Sequence, residues 1–162
     1  MCRKNKNWFH KMIAVVLAGG ISLAVLGGCQ TAKIDLDEDA LVQDLKNKVA
    51  FEDMLEEIDE DLALSLYGLT EDQVDSMEVY MGTGAKAEEI AVLQAEEGTD
   101  VSVLETAAKN RVESLKSDFE DYIPEEMPKL EDPVLVTAGD YVILCVSGDN
   151  DNAKKVIDQY IK

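Results

Sequence analysis

Leu26-Gly27-Gly28-Cys29 is the run whose residue types and spacing predict a definite chemistry. It matches a lipobox, in which small residues precede a cysteine whose sulfur receives a diacylglyceryl group. Four basic residues and an uncharged stretch from Met12 to Gly28 come before the cysteine, and this is the layout of a signal peptide. We therefore expect signal cleavage between Gly28 and Cys29, with lipidation, including palmitate, on Cys29.

Lipidation at Cys29 would divide the chain into three parts. We expect residues 1–28 to be a lipoprotein signal peptide that is removed, residues 29–36 to be the lipidated N-terminus with a short linker, and residues 37–162 to form a single domain. The 17 uncharged residues of the leader fall short of the ~20 apolar residues of a transmembrane helix, so an uncleaved anchor helix is the less favoured alternative. Two acyl chains give effectively permanent attachment, which predicts a location on the extracytoplasmic face of the cell membrane.

Cleavage would also remove His10 and Trp8, the only histidine and the only tryptophan. Ser-His-Asp, Cys-His and histidine-containing zinc sites would then be impossible within the chain. The remaining 11 basic residues would face all 34 acidic residues, and only Arg111 among them is an arginine. This composition disfavours phosphate and nucleic-acid binding. We predict no enzyme activity, no catalytic residue and no cofactor apart from the covalent lipid on Cys29.

Seven acidic side chains between residues 52 and 61 are the weak metal candidates. They are Glu52, Asp53, Glu56, Glu57, Asp59, Glu60 and Asp61. Carboxylate oxygens are ligands for calcium, but the spacing matches no calcium-loop pattern. We therefore favour a solvated acidic surface and keep the cation site as the alternative.

Three further motifs resemble reactive sites less closely. Residues 149–152 (Asp-Asn-Asp-Asn) look like the start of a calcium loop but lack its later glycine and glutamate, which favours a loop and helix cap. Residues 82–86 (Gly-Thr-Gly-Ala-Lys) lack the spacing of a phosphate loop, which favours a flexible hairpin tip. Cys145 lies in an apolar run and is interpreted as a buried, inert thiol. A pair of carboxylates could catalyse glycoside hydrolysis, but a chain with 34 acidic residues contains many such pairs by chance, so their presence indicates nothing.

The elements that position these residues follow from the hydrophobic periodicity. It predicts helices over about 37–48, 59–67, 100–120 and 152–161, and strands over about 77–81, 90–95, 134–137 and 141–146. Ser102 and Glu105 suggest a capping box for the third helix, and Pro124, Pro128 and Pro133 suggest an extended segment after it. The predicted fold class is α+β, a single domain in the order α-α-β-β-α-β-β-α. We expect a roughly four-stranded antiparallel sheet with helices packed on one face.

Three stretches carry a further signal, namely Ser65–Leu69, Gly84–Val92 and Gly139–Ser147. Together they resemble a family of lipoproteins from Gram-positive bacteria catalogued as domain of unknown function 4358. Residues 111–122, 124–126 and 129–130 fit the same family, so the resemblance covers about residues 37–161. It implies surface anchoring and a single small domain, and it implies no reaction and no catalytic residue.

Three functions remain as hypotheses. The favoured one is a non-catalytic binding or accessory domain, attached to the membrane by its lipid, with a possible envelope protein as its partner and no nucleic acid. The second is a small-ligand or divalent-cation-binding lipoprotein serving a transporter or an envelope-polymer modification system. The third is a hydrolase that uses carboxylates alone.

Overall fold

The computed structural model describes residues 33–161, which fold into an antiparallel sheet and five helices. The helices are α1 (Glu38–Lys48), α2 (Glu60–Tyr67), α3 (Val101–Phe119), α4 (Met127–Glu131) and α5 (Asn150–Tyr160), with 3-10 turns at Glu71–Gln73 and Pro124–Glu126. The strands are β1 (Glu56–Glu57), β2 (Val74–Met81), β3 (Glu89–Ala95), β4 (Val134–Ala138) and β5 (Tyr141–Val146). The α+β class and the order of the main elements are therefore confirmed.

The sheet has five strands in the order β1-β2-β3-β5-β4, rather than the four predicted. Every neighbouring pair is antiparallel, with Tyr80 opposite Ile90 and Ile90 opposite Cys145 in the central strands. The missed strand, β1, pairs only Glu56 with Met81 and Glu57 with Tyr80. Two acidic residues carry no alternation of apolar and polar positions, so the hydrophobic pattern could not indicate it.

Helices cover both faces of the sheet, and the expectation of helices on one face is wrong. One core joins α2 and α3 to Val79, Ala91 and Leu144, and the other joins α1 and α5 to Ile90 and Ile143. All six residues of β5 are buried. An unbroken apolar strand is typical of a sheet that is covered on both sides, and this strand has that pattern.

Three helices begin at capping aspartates, and two local predictions are wrong. Asp37, Asp59 and Asp100 accept backbone N–H bonds at the starts of α1, α2 and α3. The predicted capping box of Ser102 and Glu105 is therefore wrong, because Asp100 occupies the cap two residues earlier. The three prolines do not keep the chain extended throughout either: Pro124 opens a 3-10 turn and Pro128 lies in the first turn of α4, where the fixed φ of proline suits a helix.

The strands give the domain two ends. At the Asp140 end, the side chain of Asp140 accepts the N–H of Ile34 at 3.2 Å and its carbonyl accepts the N–H of Ala95 at 2.8 Å. Leu36 is buried beside this end. At the opposite, hairpin end, the loop between β2 and β3 meets the segment after α1. Among the helices of residues 33–161, none combines the length and apolar character needed to cross a membrane.

Candidate functional site

An irregular segment at the hairpin end, the 49–55 loop, connects α1 to β1 and is held by carboxylates from distant parts of the chain. The Glu88 carboxylate accepts the backbone N–H groups of Glu52 and Asp53, each at 2.9 Å. Asp149, just before α5, accepts the N–H of Ala50 at 3.2 Å. Binding residues often lie on loops that a rigid scaffold holds in place, and here the side chains of Glu88 and Asp149 fix the position of the loop.

Glu88, one of the side chains that hold the loop, belongs to a group that we call the ionic cluster. Its members are Glu52, Lys86, Glu88, Glu126 and Lys129. The Lys129 ammonium lies 2.8 Å from Glu52, 3.0 Å from Glu88 and 2.9 Å from Glu126. Lys86 lies 2.7 Å from Glu52 and 3.1 Å from Glu126. The cluster thus ties together the loop, the β2–β3 hairpin and α4.

The pKa values of Glu52, Glu126, Lys86 and Lys129 are all shifted in the direction that favours their charged forms at neutral pH. Burial alone would lower the pKa of Lys129, but hydrogen bonds to Glu52, Glu126 and Glu88 raise it overall. The hydrogen bond from Lys129, with that from Lys86, lowers the pKa of Glu52 to about 2. Burial would raise the pKa of Glu126, and bonds from Lys129, the Ala87 N–H and Lys86 bring it below its usual value. These groups favour structural pairing over proton transfer, which needs a pKa near the working pH.

A second ionic site, the buried pair, joins β3 to α3. Glu89 and Arg111 are only 1% and 5% exposed. The Arg111 Nη2 and Nε atoms donate to Oε2 of Glu89 at 2.7 and 3.1 Å. The Tyr67 hydroxyl donates to Oε1 of the same carboxylate at 2.6 Å. Burial and the Glu89 charge hold the pKa of Tyr67 well above its usual value, so this phenol remains a hydrogen-bond donor.

The tip of the β2–β3 hairpin is attached to the 49–55 loop through Asp53. The backbone N–H and the hydroxyl of Thr83 both donate to Oδ2 of Asp53 at 2.7 Å. A Cβ atom added at Gly82 would lie 2.7 Å from that same oxygen. Glycine at position 82 therefore permits the close approach of the Asp53 carboxylate.

A cleft of about 770 Å³ opens beside the 49–55 loop. It is lined by Gln43, Lys46, Val49, Ala50, Phe51, Asp53, Met54, Leu55, Glu56, Glu57 and Tyr80. Met54 is 71% exposed, and Lys46 lies over the Tyr80 ring, 4.6 Å from its centre. Five of the eleven lining residues are polar or charged, so the cleft offers both apolar contact area and polar groups to a ligand.

A smaller cavity of about 330 Å³ lies between α2 and α3. It is lined by Tyr67, Gly68, Leu69, Ser102, Val103, Thr106, Ala107 and Asn110. The only titratable side chain in this lining, Tyr67, already donates its hydroxyl proton to Glu89. The cavity therefore offers mainly neutral hydroxyl and amide groups.

The seven acidic metal candidates separate into different roles. Glu52 joins the ionic cluster, Asp53 binds Thr83, Asp59 caps α2, and the other four are exposed residues of β1 and the first turn of α2. Across residues 33–161, histidine, cysteine and acidic side chains form no group of three or more that could hold a metal ion. These acids are therefore not brought together as ligands.

The other predicted motifs also have clear positions. Asp149 occupies the cap position of α5, and Lys86 of the glycine-rich tip pairs with carboxylates. Cys145 is buried and free, and burial raises its pKa to about 12; the predicted burial of the thiol is confirmed, and its inertness stays a prediction. The predicted cleavage and lipidation site at Gly28 and Cys29 lies outside the described residues.

Sequence reasoning missed the ionic cluster and the buried pair. One signal was present in α3, where Leu104, Ala108, Arg111 and Leu115 follow each other at steps of four and three. Arg111 therefore occupies the apolar stripe of the helix, a position that faces the core. Nothing in the spacing of Glu88 and Glu89 distinguishes them from exposed acids.

Comparisons with known proteins support a family assignment alone. No curated protein and no solved structure matches the chain. The model of one family matches residues 47–147, a region that contains the 49–55 loop, the ionic cluster and the buried pair. The chain belongs to the family described as a domain of unknown function, DUF4358.

Proposed function

We propose that this protein is a non-catalytic, lipid-anchored binding or accessory domain on the extracytoplasmic face of the membrane. We propose further that it recognises another protein of the cell envelope through the cleft beside the 49–55 loop. One observation carries the proposal: a loop held in place by the buried Glu88 carboxylate presents the exposed side chain of Met54 at the cleft. Preorganised loops lose little conformational entropy on binding, so this arrangement favours recognition.

The chemistry of the ionisable groups supports binding over catalysis. Each buried carboxylate of the site forms a salt bridge: Glu89 with Arg111, and Glu88 and Glu126 with Lys129. The buried thiol of Cys145 has a pKa of about 12, far from the range of a reactive thiolate. General acid–base catalysis requires a group with a pKa near neutral pH, whereas the pKa of Glu126 is lowered and the pKa of Cys145 is raised, both away from that range.

The proposed anchor and the fold together give an orientation. Five peptide units separate Cys29 from Ile34, and such a segment spans at most ~18 Å. The backbone N–H of Ile34 is hydrogen-bonded to the Asp140 side chain, so a chain anchored at Cys29 would have its Asp140 end near the bilayer. The eight residues of β2 lead away from that end, so the hairpin end lies about 23 Å from it along the strand. The cleft then faces partners in the extracytoplasmic space.

A second candidate function, small-ligand binding, is favoured by the size of the cleft. Its volume of about 770 Å³ lies within the usual range of roughly 300–1,000 Å³ for small-molecule sites. Gln43 and Lys46 supply polar groups to its wall. Native mass spectrometry of the lipidated protein tests this candidate: a co-purifying small molecule that is lost from a Gln43→Leu variant would favour it over a protein partner.

Photo-crosslinking in intact cells tests the main proposal. A photoreactive amino acid at position 54 of the full chain should capture a specific protein. The same residue at position 122 is the matched control, because Tyr122 is 82% exposed and lies outside the cleft lining. Capture of the same abundant proteins from both positions would show that the cleft has no preferred protein partner.

The anchor is tested separately by a Cys29→Ser substitution. Without the thiol, no thioether to a diacylglyceryl group can form. We expect the variant to remain unprocessed and to incorporate no radioactive palmitate, whereas a Cys145→Ser variant should be processed and labelled normally. Normal processing and labelling of the Cys29→Ser protein would contradict lipidation at that residue.

A further inference from the structure

The cleft lies within the most acidic part of the chain. No lysine or arginine occurs from Val49 to Ala85, and eleven acidic residues do. They are Glu52, Asp53, Glu56, Glu57, Asp59, Glu60, Asp61, Glu71, Asp72, Asp75 and Glu78. This stretch forms the β1–β2 edge of the sheet together with α2, so one side of the domain carries a large excess of negative charge.

The rim of the cleft carries an excess of negative charge, because three of the charged lining residues (Asp53, Glu56 and Glu57) are acidic and one (Lys46) is basic. Glu56 and Glu57 are exposed, and no lysine or arginine within residues 33–161 forms a salt bridge with either. On the neighbouring strand, Oε2 of Glu78 is buried without a hydrogen-bond partner. Burial together with Glu78 and Glu57 raises the pKa of Tyr80 to about 12. The rim therefore has a negative potential that a cation would relieve.

The cleft also has apolar lining residues, and one aromatic ring in it already contacts a cation of the chain. Phe51, Met54 and Leu55 line it from the loop, and a methionine side chain adapts to partners of different shape. The Lys46 ammonium lies 4.6 Å from the centre of the Tyr80 ring, a favourable cation–π arrangement. The cleft thus combines apolar contact area with groups that attract lysine and arginine.

We propose that the cleft receives a segment of a partner protein in which an apolar side chain is flanked by lysine or arginine residues. This inference rests on the proposed binding function and adds the chemistry of the partner. The apolar side chain would pack on Phe51 and Met54, and the flanking cations would lie near Glu56 and Glu57. Complementary charge raises the association rate and selects against acidic competitors, so anionic polymers and anionic lipid headgroups are poor occupants.

Peptide binding to the full, lipidated chain in phosphatidylcholine nanodiscs tests this inference. The probe is a fluorescent peptide in which lysine alternates with phenylalanine, and empty nanodiscs supply the background. Two matched peptides replace all lysines by glutamate or all phenylalanines by serine. We expect the lysine–phenylalanine peptide to bind most tightly by fluorescence anisotropy and to weaken as salt is added.

Variants of the chain then locate the peptide. Glu56→Gln combined with Glu57→Gln should raise the Kd about tenfold, and Met54→Ser should raise it by a similar factor. Glu71→Gln combined with Asp72→Asn makes the same charge change elsewhere in the acidic stretch, in the 3-10 turn before β2. This control pair should change the Kd by less than about twofold, because screening limits its reach.

Three outcomes would overturn the inference. The first is equal binding of the glutamate–phenylalanine peptide, and the second is an equal loss in both double variants, which would reflect general charge. The third is a partner crosslinked from position 54 whose contacting segment is acidic or uncharged; in that case the proposed binding function stands and only the chemistry assigned to the partner falls.

Discussion

The acidic side chains at the hairpin end fall into two contrasting regions, the buried ionic sites and the rim of the cleft. Glu88, Glu89 and Glu126 are at most 3% exposed and each pairs with a lysine or an arginine. Glu56 and Glu57 are exposed on a two-residue edge strand without such a pair among residues 33–161. The same residue type therefore connects segments in one region and leaves its charge available in the other.

This difference predicts separate consequences of mutation. Removing one partner of a buried ion pair leaves the other charge desolvated and costs several kcal/mol. Removing an exposed, unpaired carboxylate changes stability by at most about 0.5 kcal/mol. The buried ionic sites should thus control folding, and the rim should control binding with little effect on folding.

Arg111→Met should have the largest effect on stability, because it removes the cation of the buried pair. The substitution keeps much of the side-chain volume but leaves Glu89 with the Tyr67 hydroxyl and no cation. We expect the free energy of unfolding to fall by about 3–5 kcal/mol, measured by urea denaturation followed by circular dichroism.

A matched control for this prediction lies on the same helix. Lys109 pairs with Glu105 on the exposed surface of α3, and Lys109→Met should cost less than about 0.5 kcal/mol. Adding Glu89→Gln to Arg111→Met should restore part of the lost stability, because it removes the uncompensated charge. A loss below about 1 kcal/mol for Arg111→Met alone would show that the buried pair is not a main determinant of folding.

Lys129→Met should have the next largest effect, a loss of about 2–3 kcal/mol of unfolding free energy at neutral pH, because it leaves Glu88 and Glu126 buried with fewer hydrogen-bond donors.

The same lysine should make the stability of the fold depend on pH in the acidic range. Its hydrogen bond to Glu52 is the first cause of a folded pKa of about 2 against an ordinary 4.5, and the pKa of Glu126 is also lowered. A lowered carboxyl pKa stabilises the fold above the unfolded value, and that stability is lost as pH falls through the folded value.

The unfolding free energy of the wild type should therefore decline between about pH 4.5 and 2. The slope should be smaller in Lys129→Met, measured by urea denaturation at several pH values. Other carboxylates with lowered pKa values, such as Asp100, are common to both proteins and cancel in the difference. Parallel curves for the two proteins would mean that Lys129 does not set the acid sensitivity.

The parts of the fold that could be predicted are those with a local sequence signal. The helix starts at Asp37, Asp59 and Asp100 were readable because a capping aspartate and an apolar stripe make local signals. The strand over 141–146 was readable because its six residues form a continuous apolar, β-prone run. The two-sided covering of the sheet was not predicted, although the unbroken apolar run over 141–146 is a signal for it; this signal does not say which helices cover which face.

The buried ionic sites could not be predicted from local signals. Glu88 and Glu126 are 38 residues apart in sequence, and only tertiary packing brings Lys129 between them. Acidic residues are abundant in this chain, so an acid that will be buried has the same sequence appearance as one that will be solvated. Arg111 is the exception, because its place on an apolar helix stripe is itself unusual.

Gly82→Ala gives the smallest expected effect and sharpens the boundary between the two regions. Asp53 lines the cleft and also binds Thr83, and a Cβ atom at position 82 would lie 2.7 Å from its carboxylate. The carboxylate must shift and loses hydrogen bonds, which should cost about 1 kcal/mol by urea denaturation. Gly148→Ala is the matched control, since its Cβ would meet only the Lys129 side chain at 3.8 Å. If both substitutions were equally tolerated, the hairpin tip would not depend on Asp53, and the other contacts of the 49–55 loop, those of Glu88 and Asp149, would account for its position.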